Sequence, residues 1–177
     1  AARSMKLGPK SAIHLDLLPA KDVVPGSVAG VLTTHTSLFG RIDQTRSAMG
    51  ARLLKRWILE PLRTVQEISA RQAATQELAN DVRANDQLRS ALGELYDIER
   101  ILARVNTGLA SPRDTRALGR TLGALGTLAG HLGRFNSDLA VALKTRLRSA
   151  HESLGALAEE ILRTQLEEAP LVSRDGG

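Results

Sequence analysis

The sequence contains no cysteine, and aromatic residues make up only 2% of it. Without cysteine, neither a disulfide nor a thiolate metal site can form, which is compatible with a reducing compartment. No apolar run approaches the roughly 20 residues that a helix needs to cross a bilayer. No signal-peptide pattern is present either. We therefore expect a soluble protein that does not bind membranes.

With so few aromatics, leucine and alanine must do most of the packing. Hydrophobic residues still make up 42% of the 177 residues, and such side chains favour helix-on-helix contact over a β-sandwich. Strand patterns are negligible. We predict an all-α protein, an elongated helical bundle of long and short helices. A leading segment and linker is expected over residues 1–36, and a helical domain over residues 37–177.

The sequence also lacks the usual signatures of an active site. It has no phosphate-binding loop of the form GxxxxGK[ST], so the chain alone is not expected to bind and hydrolyse ATP. No Ser/His/Asp grouping is suggested by spacing, although such triads are recognised only in three dimensions. Four histidines lie too far apart for a helical metal pair: His14, His35, His131 and His151. We predict no catalytic, cofactor-binding or metal-binding residue.

The most distinctive stretch runs from Ser47 to Leu62 and holds the only tryptophan. Its apolar residues recur at i, i+4, i+5, i+8 and i+9, which places them on one stripe of a helix. Ser47 is a suitable N-cap, and Pro61 cannot continue the helix. The predicted anchors of a core are Met49, Gly50, Leu53, Leu54 and Trp57, and Ile58 completes the stripe.

The opposite side of this helix is basic. It carries Arg52, Lys55 and Arg56, with Arg46 before it and Arg63 after it. One hypothesis is sequence-independent contact with a DNA phosphate backbone. The other, which we favour, is a solvated face or ion pairs with acidic helices. The net charge of +5 decides little, because many ordinary soluble proteins are as basic.

Several further helices begin at recognisable caps. Thr64 with Glu67 is predicted to form a capping box ahead of a helix from about Val65 to Ala79, which Asn80-Asp81 ends. A helix over Asp86–Leu95 follows. Asp97 caps the next helix, and Gly108 closes it. Ser111-Pro112-Arg113-Asp114 places Ser at the N-cap and Pro at the first helical position.

The helix that follows Pro112 carries an unusual row of glycines at positions 119, 123, 126, 130 and 133. Each interior glycine costs about 0.8–1 kcal/mol relative to alanine. The row either lets a neighbouring helix approach closely or makes the helix compliant, and we favour close packing. A last long helix, with leucines every three or four residues from Leu139 to Leu166, is expected to kink near Ser153 or Gly155.

These motifs together resemble the MutS family of DNA mismatch repair proteins. The stretch from Leu38 to Ile58, followed by Pro61-Leu62, is similar to the opening of that family's core domain. Asp97–Arg104 and Ser111–Asp114 match two further landmarks in the same order. The terminal Arg174-Asp175-Gly176-Gly177 resembles the point where the family's clamp insertion begins. The chain opens on Ala1 without a methionine, which suggests a processed or excised piece.

The resemblance implies a core, or lever, segment whose long helices couple binding of mismatched DNA to the ATPase of the full-length protein. ATP and magnesium are then expected in the full-length protein and no cofactor in this chain. Expected partners are the other domains of the same chain, mismatched duplex DNA, a MutL-type protein and, as a homo- or heterodimer, a second MutS subunit. The implied location is intracellular: cytoplasm or nucleoid in a bacterium, nucleus or organelle in a eukaryote. Arg100 and Arg104 are candidate ion-pair partners within the lever. A DNA-backbone binding module and a free-standing helical scaffold are the alternatives.

Overall fold

The structure, a computed structural model, describes residues 4–19 and 37–168. The predicted turn at Pro25-Gly26, His35 and the terminal Arg174–Gly177 motif lie outside the described residues. The chain divides into two compact units, with the boundary between Ser69 and Ala70. The boundary expected after residue 36 stays a prediction.

Helices dominate the part of the chain that the structure describes, which confirms the all-α class. Their bounds are α1 Pro9–His14, α2 Leu38–Ile42, α3 Ala48–Leu59, α4 Val65–Asn80, α5 Val82–Gly93, α6 Ile98–Asn106, α7 Pro112–Gly123, α8 Leu125–His131 and α9 Asp138–Thr164. A 3₁₀ turn, Leu132–Arg134, follows α8. Across residues 4–19 and 37–168, β-type pairing is limited to an isolated bridge between Ser4 and Leu62.

The predicted caps at Ser47, Asp97 and Ser111 are confirmed. The Ser47 side chain accepts a hydrogen bond from the Gly50 N–H, and the Asp97 carboxylate accepts one from the Arg100 N–H. Ser111 and Asp114 form a reciprocal capping box at the start of α7. These caps are set by residues three apart, so sequence alone locates them.

One helix start differs from the sequence prediction. We placed the start of α5 near Asp86 and read Asn80-Asp81 only as a helix end. The helix instead begins at Val82, because the Asp81 carboxylate accepts a hydrogen bond of 2.9 Å from the Ala84 N–H. Asp81 therefore acts as an N-cap.

In the first unit, a small core forms around α1 and α2. Ala12, Leu18 and Phe39 are buried. Backbone hydrogen bonds tie the two parts together: the Leu38 N–H donates to the Asp16 carbonyl at 2.7 Å, and the Phe39 N–H donates to the Leu17 carbonyl at 3.0 Å. The N-terminal segment also pairs with the end of α3, where the Leu7 N–H donates to the Leu59 carbonyl at 2.9 Å.

The apolar stripe of α3 does not form the buried core that its spacing suggested. No residue of α3 is buried; Leu53 and Trp57 each keep 37% of their surface exposed, and Met49, Gly50 and Leu54 are half-buried. A stripe shows which side of a helix is apolar, but a neighbouring element must cover that side to bury it. The role of these residues as structural anchors stays a prediction.

In the second unit, α9 packs along α7 and α8, and α5 packs against α8. One core cluster consists of Ala84, Leu132, Phe135 and Ala140, with Leu78, Leu88 and Leu147 packed against it. Buried residues of α7 and α8 include Leu122, Leu128 and Ala129. Apart from Phe135, these side chains are leucine and alanine, so aliphatic contacts hold these helices together.

The glycine row of α7 and α8 serves close packing at two positions. A Cβ added at Gly119 would lie 2.7 Å from Cγ2 of Ile161, and one added at Gly126 would lie 3.0 Å from the His151 ring. At Gly123, Gly130 and Gly133 nothing lies within 4 Å. The single helix predicted here is instead interrupted at Ala124, directly after Gly123.

The last helix, α9, runs unbroken for 27 residues, so it is not split near Ser153 or Gly155. The kink expected there stays a prediction. Its leucine stripe is only partly covered: Leu139, Leu143, Leu154 and Leu157 keep 36–49% of their surface exposed. Ala140 and Ala158, each one position after a stripe leucine, are buried. One position is a rotation of about 100°, so α9 packs through its small residues rather than its leucines.

The two classes of glycine predict opposite effects of alanine. Gly119→Ala should lower the free energy of unfolding by about 1–3 kcal/mol, because the new methyl group overlaps Ile161. Gly130→Ala is the matched control and should raise it by up to about 1 kcal/mol, because alanine is the better helix former and space is open there. Urea denaturation followed by circular dichroism measures both. Equal effects of the two substitutions would contradict the close contact at Gly119.

Burial also separates two aromatic residues of the first unit. Phe39→Ala should cost about 3–5 kcal/mol of unfolding free energy, as expected for a buried ring. Trp57→Ala should cost clearly less, because more than a third of Trp57 is exposed. Circular dichroism is the readout, since this variant loses the only tryptophan fluorophore. A Trp57→Ala cost as large as that of Phe39→Ala would show that Trp57 is a core residue after all.

Candidate functional site

The basic face predicted on α3 is present, but its side chains differ in their exposure to solvent. Arg52, Arg56 and Arg63 are exposed. Lys55 is half-buried, and its Nζ lies 4.8 Å from the centre of the Phe39 ring. An ammonium in this position is attracted to the face of the ring, so Lys55 also has a structural role in the first unit. DNA-backbone contact by this face stays a prediction.

The corner between α6 and α7 holds a compact polar network around Arg104. Its Nε and Nη2 donate to the Leu109 carbonyl at 3.3 and 3.1 Å. The same Nε lies 3.2 Å from Oδ2 of Asp114, so Arg104 is an ion-pair partner, as expected. Gly108 turns the chain here with a φ of 70°, a conformation that glycine adopts without steric cost.

Asp114 holds this corner from the side of α7. Its Oδ2 accepts hydrogen bonds of 2.8 Å from both the backbone N–H and the hydroxyl of Ser111. Burial acts to raise the pKa of Asp114, but the hydrogen bonds from Ser111 and the charges of Arg104 and Arg100 together lower it. The carboxylate is therefore stabilised in its ionised form, which accepts both hydrogen bonds.

A second polar contact joins two distant parts of the second unit. The Glu77 carboxylate, on α4, accepts hydrogen bonds from the backbone N–H groups of Asn136 at 2.5 Å and Ser137 at 2.9 Å. These groups precede α9, whose N-cap Ser137 provides no side-chain cap of its own. The hydrogen bonds from the Asn136 and Ser137 N–H groups lower the pKa of Glu77. Sequence reasoning missed this contact, because no local motif links residues about 60 positions apart.

The three histidines within the described residues lie on separate helices. His151 packs against Gly126, while His14 and His131 lie on other helices. Within residues 4–19 and 37–168, no group of three or more His, Asp or Glu side chains could hold a metal ion. No helix in the described ranges is long and apolar enough to span a bilayer. The fold and its polar contacts thus define an all-α module whose side-chain networks join helices.

The family is given by comparison with known proteins. The model of MutS domain III matches residues 12–177. A DNA mismatch repair protein MutS of Synechococcus elongatus is 39% identical over 143 residues, 81% of this chain and 16% of that protein. The MutS of Chlorobaculum parvum is 35% identical over all 177 residues, 19% of its own length. The chain belongs to the MutS domain III family.

This domain is a small part of the relatives that it matches. The chain spans 16% of the Synechococcus elongatus and Exiguobacterium proteins, the latter 36% identical over 141 residues. The curated relatives are named for DNA mismatch repair. The landmarks from Leu38 to Ile58, Asp97 to Arg104 and Ser111 to Asp114 all lie within the residues that the family model matches.

The contact of Glu77 with the start of α9 predicts a pH-dependent stability. The pKa of Glu77 lies below its ordinary value of 4.5 in the folded chain, so its stabilisation is present above that value and is lost as pH falls through the folded pKa. Glu77→Gln should lower the melting temperature at pH 7, and its difference from the wild type should shrink below pH 4.5.

Glu159→Gln is the matched control, because it removes the same charge from an exposed position on α9. It should leave the melting temperature nearly unchanged at pH 7. Melting curves by circular dichroism between pH 3 and 7, at constant ionic strength, provide the measurement. A Glu77→Gln difference that stays constant across this range would rule out the ionised cap.

Proposed function

We propose that this chain is the core, or lever, segment of a MutS protein and couples binding of mismatched DNA to ATP hydrolysis in the full-length protein. Membership of the MutS domain III family supports the assignment, as does the similarity to relatives named DNA mismatch repair protein MutS. In this proposal the segment has no catalytic activity of its own. Its function is to move as a body between other parts of the machine.

The observation that carries the proposal is the form of α9. A 27-residue helix extends about 40 Å at 1.5 Å per residue. It packs against α7 through Gly119 and against α8 through Gly126, with almost no free space at either contact. Closely packed helices shift between discrete arrangements rather than compressing. A displacement imposed at one end of α9 would therefore reach the other end.

Polar contacts near both ends of α9 support the same role. Glu77 binds the two N–H groups that precede the helix, and Nη1 of Arg116 donates to the carbonyl of Gln165, just beyond its C-terminal end, at 2.8 Å. These contacts connect α9 to α4 and to α7. Both are charge-assisted hydrogen bonds to backbone groups next to the ends of α9, so each end of this helix is bound to a neighbouring element.

We assign the remaining activities to other parts of the full-length protein. Mismatched duplex, ATP with magnesium, a MutL-type partner and a second subunit would all be bound outside this segment, inside the cell, where the DNA lies. Direct DNA binding by the basic face of α3 is the weaker candidate, because Lys55 lies over Phe39. A free-standing scaffold is disfavoured by the match to domain III.

The test softens α9 without removing its packing contacts. In the full-length protein, Ala142→Gly with Ala156→Gly changes two exposed positions of α9, and each glycine costs the helix about 1 kcal/mol. Ala70→Gly with Ala73→Gly makes the same change at two exposed positions of α4. The α9 variant should reduce the effect of mismatched duplex on ATP hydrolysis several-fold and leave the rate without DNA unchanged.

The α4 variant should retain most of that effect. Steady-state ATP hydrolysis with mismatched duplex, matched duplex and no DNA gives the comparison. If the α9 variant responds to mismatched DNA as the wild type does, α9 does not transmit the signal. Equal losses in both variants would indicate general destabilisation, and the proposal would then also fail.

A further inference from the structure

We propose that a cleft beside α7 binds a small phosphate-bearing ligand with more than one phosphate group, such as a diphosphate. The cleft has a volume of about 310 Å³ and lies within the second unit. It is lined by Tyr96, Arg113, Arg116, Ala117, Arg120, Glu167 and Glu168. The site shares Arg116 with the contact at the end of α9, but its ligand binding does not require the lever function proposed above.

The arginines of the cleft lie on one face of α7. Positions 113, 116, 117 and 120 are spaced by three or four residues, so their side chains share a side of the helix. Ala117 is buried and forms an apolar floor. Planar guanidinium groups present paired donors that match the oxygen atoms of phosphate and carboxylate groups. An oxyanion is therefore the class of ligand that this wall recognises.

The fork of Arg116 is only partly used. Its Nη1 donates to the Gln165 carbonyl at 2.8 Å, while its Nε is buried and has no hydrogen-bond partner in the described part of the chain. A buried donor without an acceptor is costly. An oxyanion in the cleft would contact the other N–H groups of the guanidinium and leave the bond to Gln165 in place.

The backbone of Tyr96 is hydrogen-bonded to α7 beside the cleft. Its N–H donates to the hydroxyl of Thr121 at 3.1 Å, and that hydroxyl donates to the Ala117 carbonyl at 2.9 Å. Thr121 is almost completely buried, so this short chain of hydrogen bonds fixes the tyrosine against α7. The phenol hydroxyl can donate to a phosphate oxygen.

The size and spacing of the cleft favour a small ligand over a nucleic-acid duplex. Its volume lies at the lower end of the range for small-molecule pockets, about 300–1,000 Å³. From Arg113 to Arg120 the helix rises about 10 Å, which exceeds the extent of a single phosphate ion. Two linked phosphate groups would therefore contact more of the arginines than inorganic phosphate does.

Glu167 and Glu168 also line the cleft. Their carboxylates disfavour an anionic ligand, because like charges repel. They provide a test in two directions. Substituting an arginine of the cleft should weaken binding of a diphosphate, whereas Glu167→Gln with Glu168→Gln should strengthen it. A nonspecific response to the net charge of the chain would not depend on where the charge is changed.

The experiment titrates pyrophosphate, and separately inorganic phosphate, into the 177-residue chain by isothermal titration calorimetry at low ionic strength. Pyrophosphate should bind more tightly than phosphate. Arg116→Gln and Arg120→Gln should each weaken pyrophosphate binding about 10- to 100-fold, as expected for loss of a charged hydrogen bond. The double glutamine variant at 167 and 168 should tighten it about 2- to 5-fold.

Arg134→Gln and Arg148→Gln are the matched controls, since both arginines are exposed and lie outside the cleft. They should change the affinity less than twofold. Arg120 is also exposed, so its variant keeps the test valid if Arg116→Gln fails to fold. Absence of pyrophosphate binding, or equal losses in controls and cleft variants, would overturn the proposal. Tighter binding of a short duplex that is lost in the same cleft variants would instead assign these arginines to nucleic acid.

Discussion

The close approach of α9 to α7 and α8 is the constraint on which the second unit depends. At Gly119 and Gly126 the neighbouring side chains occupy the space that a Cβ would need. Small residues at a helix interface bring the backbones together, and dispersion contacts then accumulate along the whole interface. The buried Ala140 and Ala158 continue the same contact from the side of α9. The second unit therefore packs closely although the sequence contains few aromatic residues.

Polar contacts fix the ends of the packed helices. Glu77 marks the start of α9 and Arg116 its end, while Arg104 and Asp114 hold the corner between α6 and α7. Lys55 packs on Phe39 in the first unit. Lys55, Arg104 and Arg116, three of the 24 basic residues, thus make contacts within the protein. A count of arginines and lysines cannot distinguish internal contacts from binding to a polyanion, because it contains no information about the partner of each side chain.

Part of the fold and of the candidate site could be predicted from the sequence. Ser47, Asp97 and Ser111 start helices as expected, because capping requires only a backbone N–H two or three residues away. Arg104 was foreseen as an ion-pair partner, although its partner Asp114 was not. Glu77 and Arg116 were missed, since their partners lie 59 and 49 residues away. The cleft beside α7 likewise requires Tyr96 and Glu167 to meet one helix, which local spacing does not encode.

The sequence by itself determined the all-α class, most helix starts and the MutS resemblance, all of which rest on local patterns of side chains. The tertiary structure decided which apolar faces are covered. The stripe of α3 and the leucines of α9 have equally regular spacing, yet both remain partly exposed. The tertiary structure also decided which glycines are in close contact with a neighbouring helix. Gly119 and Gly126 are, whereas Gly123, Gly130 and Gly133 are not. The physical reason is that periodicity fixes the direction of a side chain on its own helix, whereas burial depends on what lies opposite.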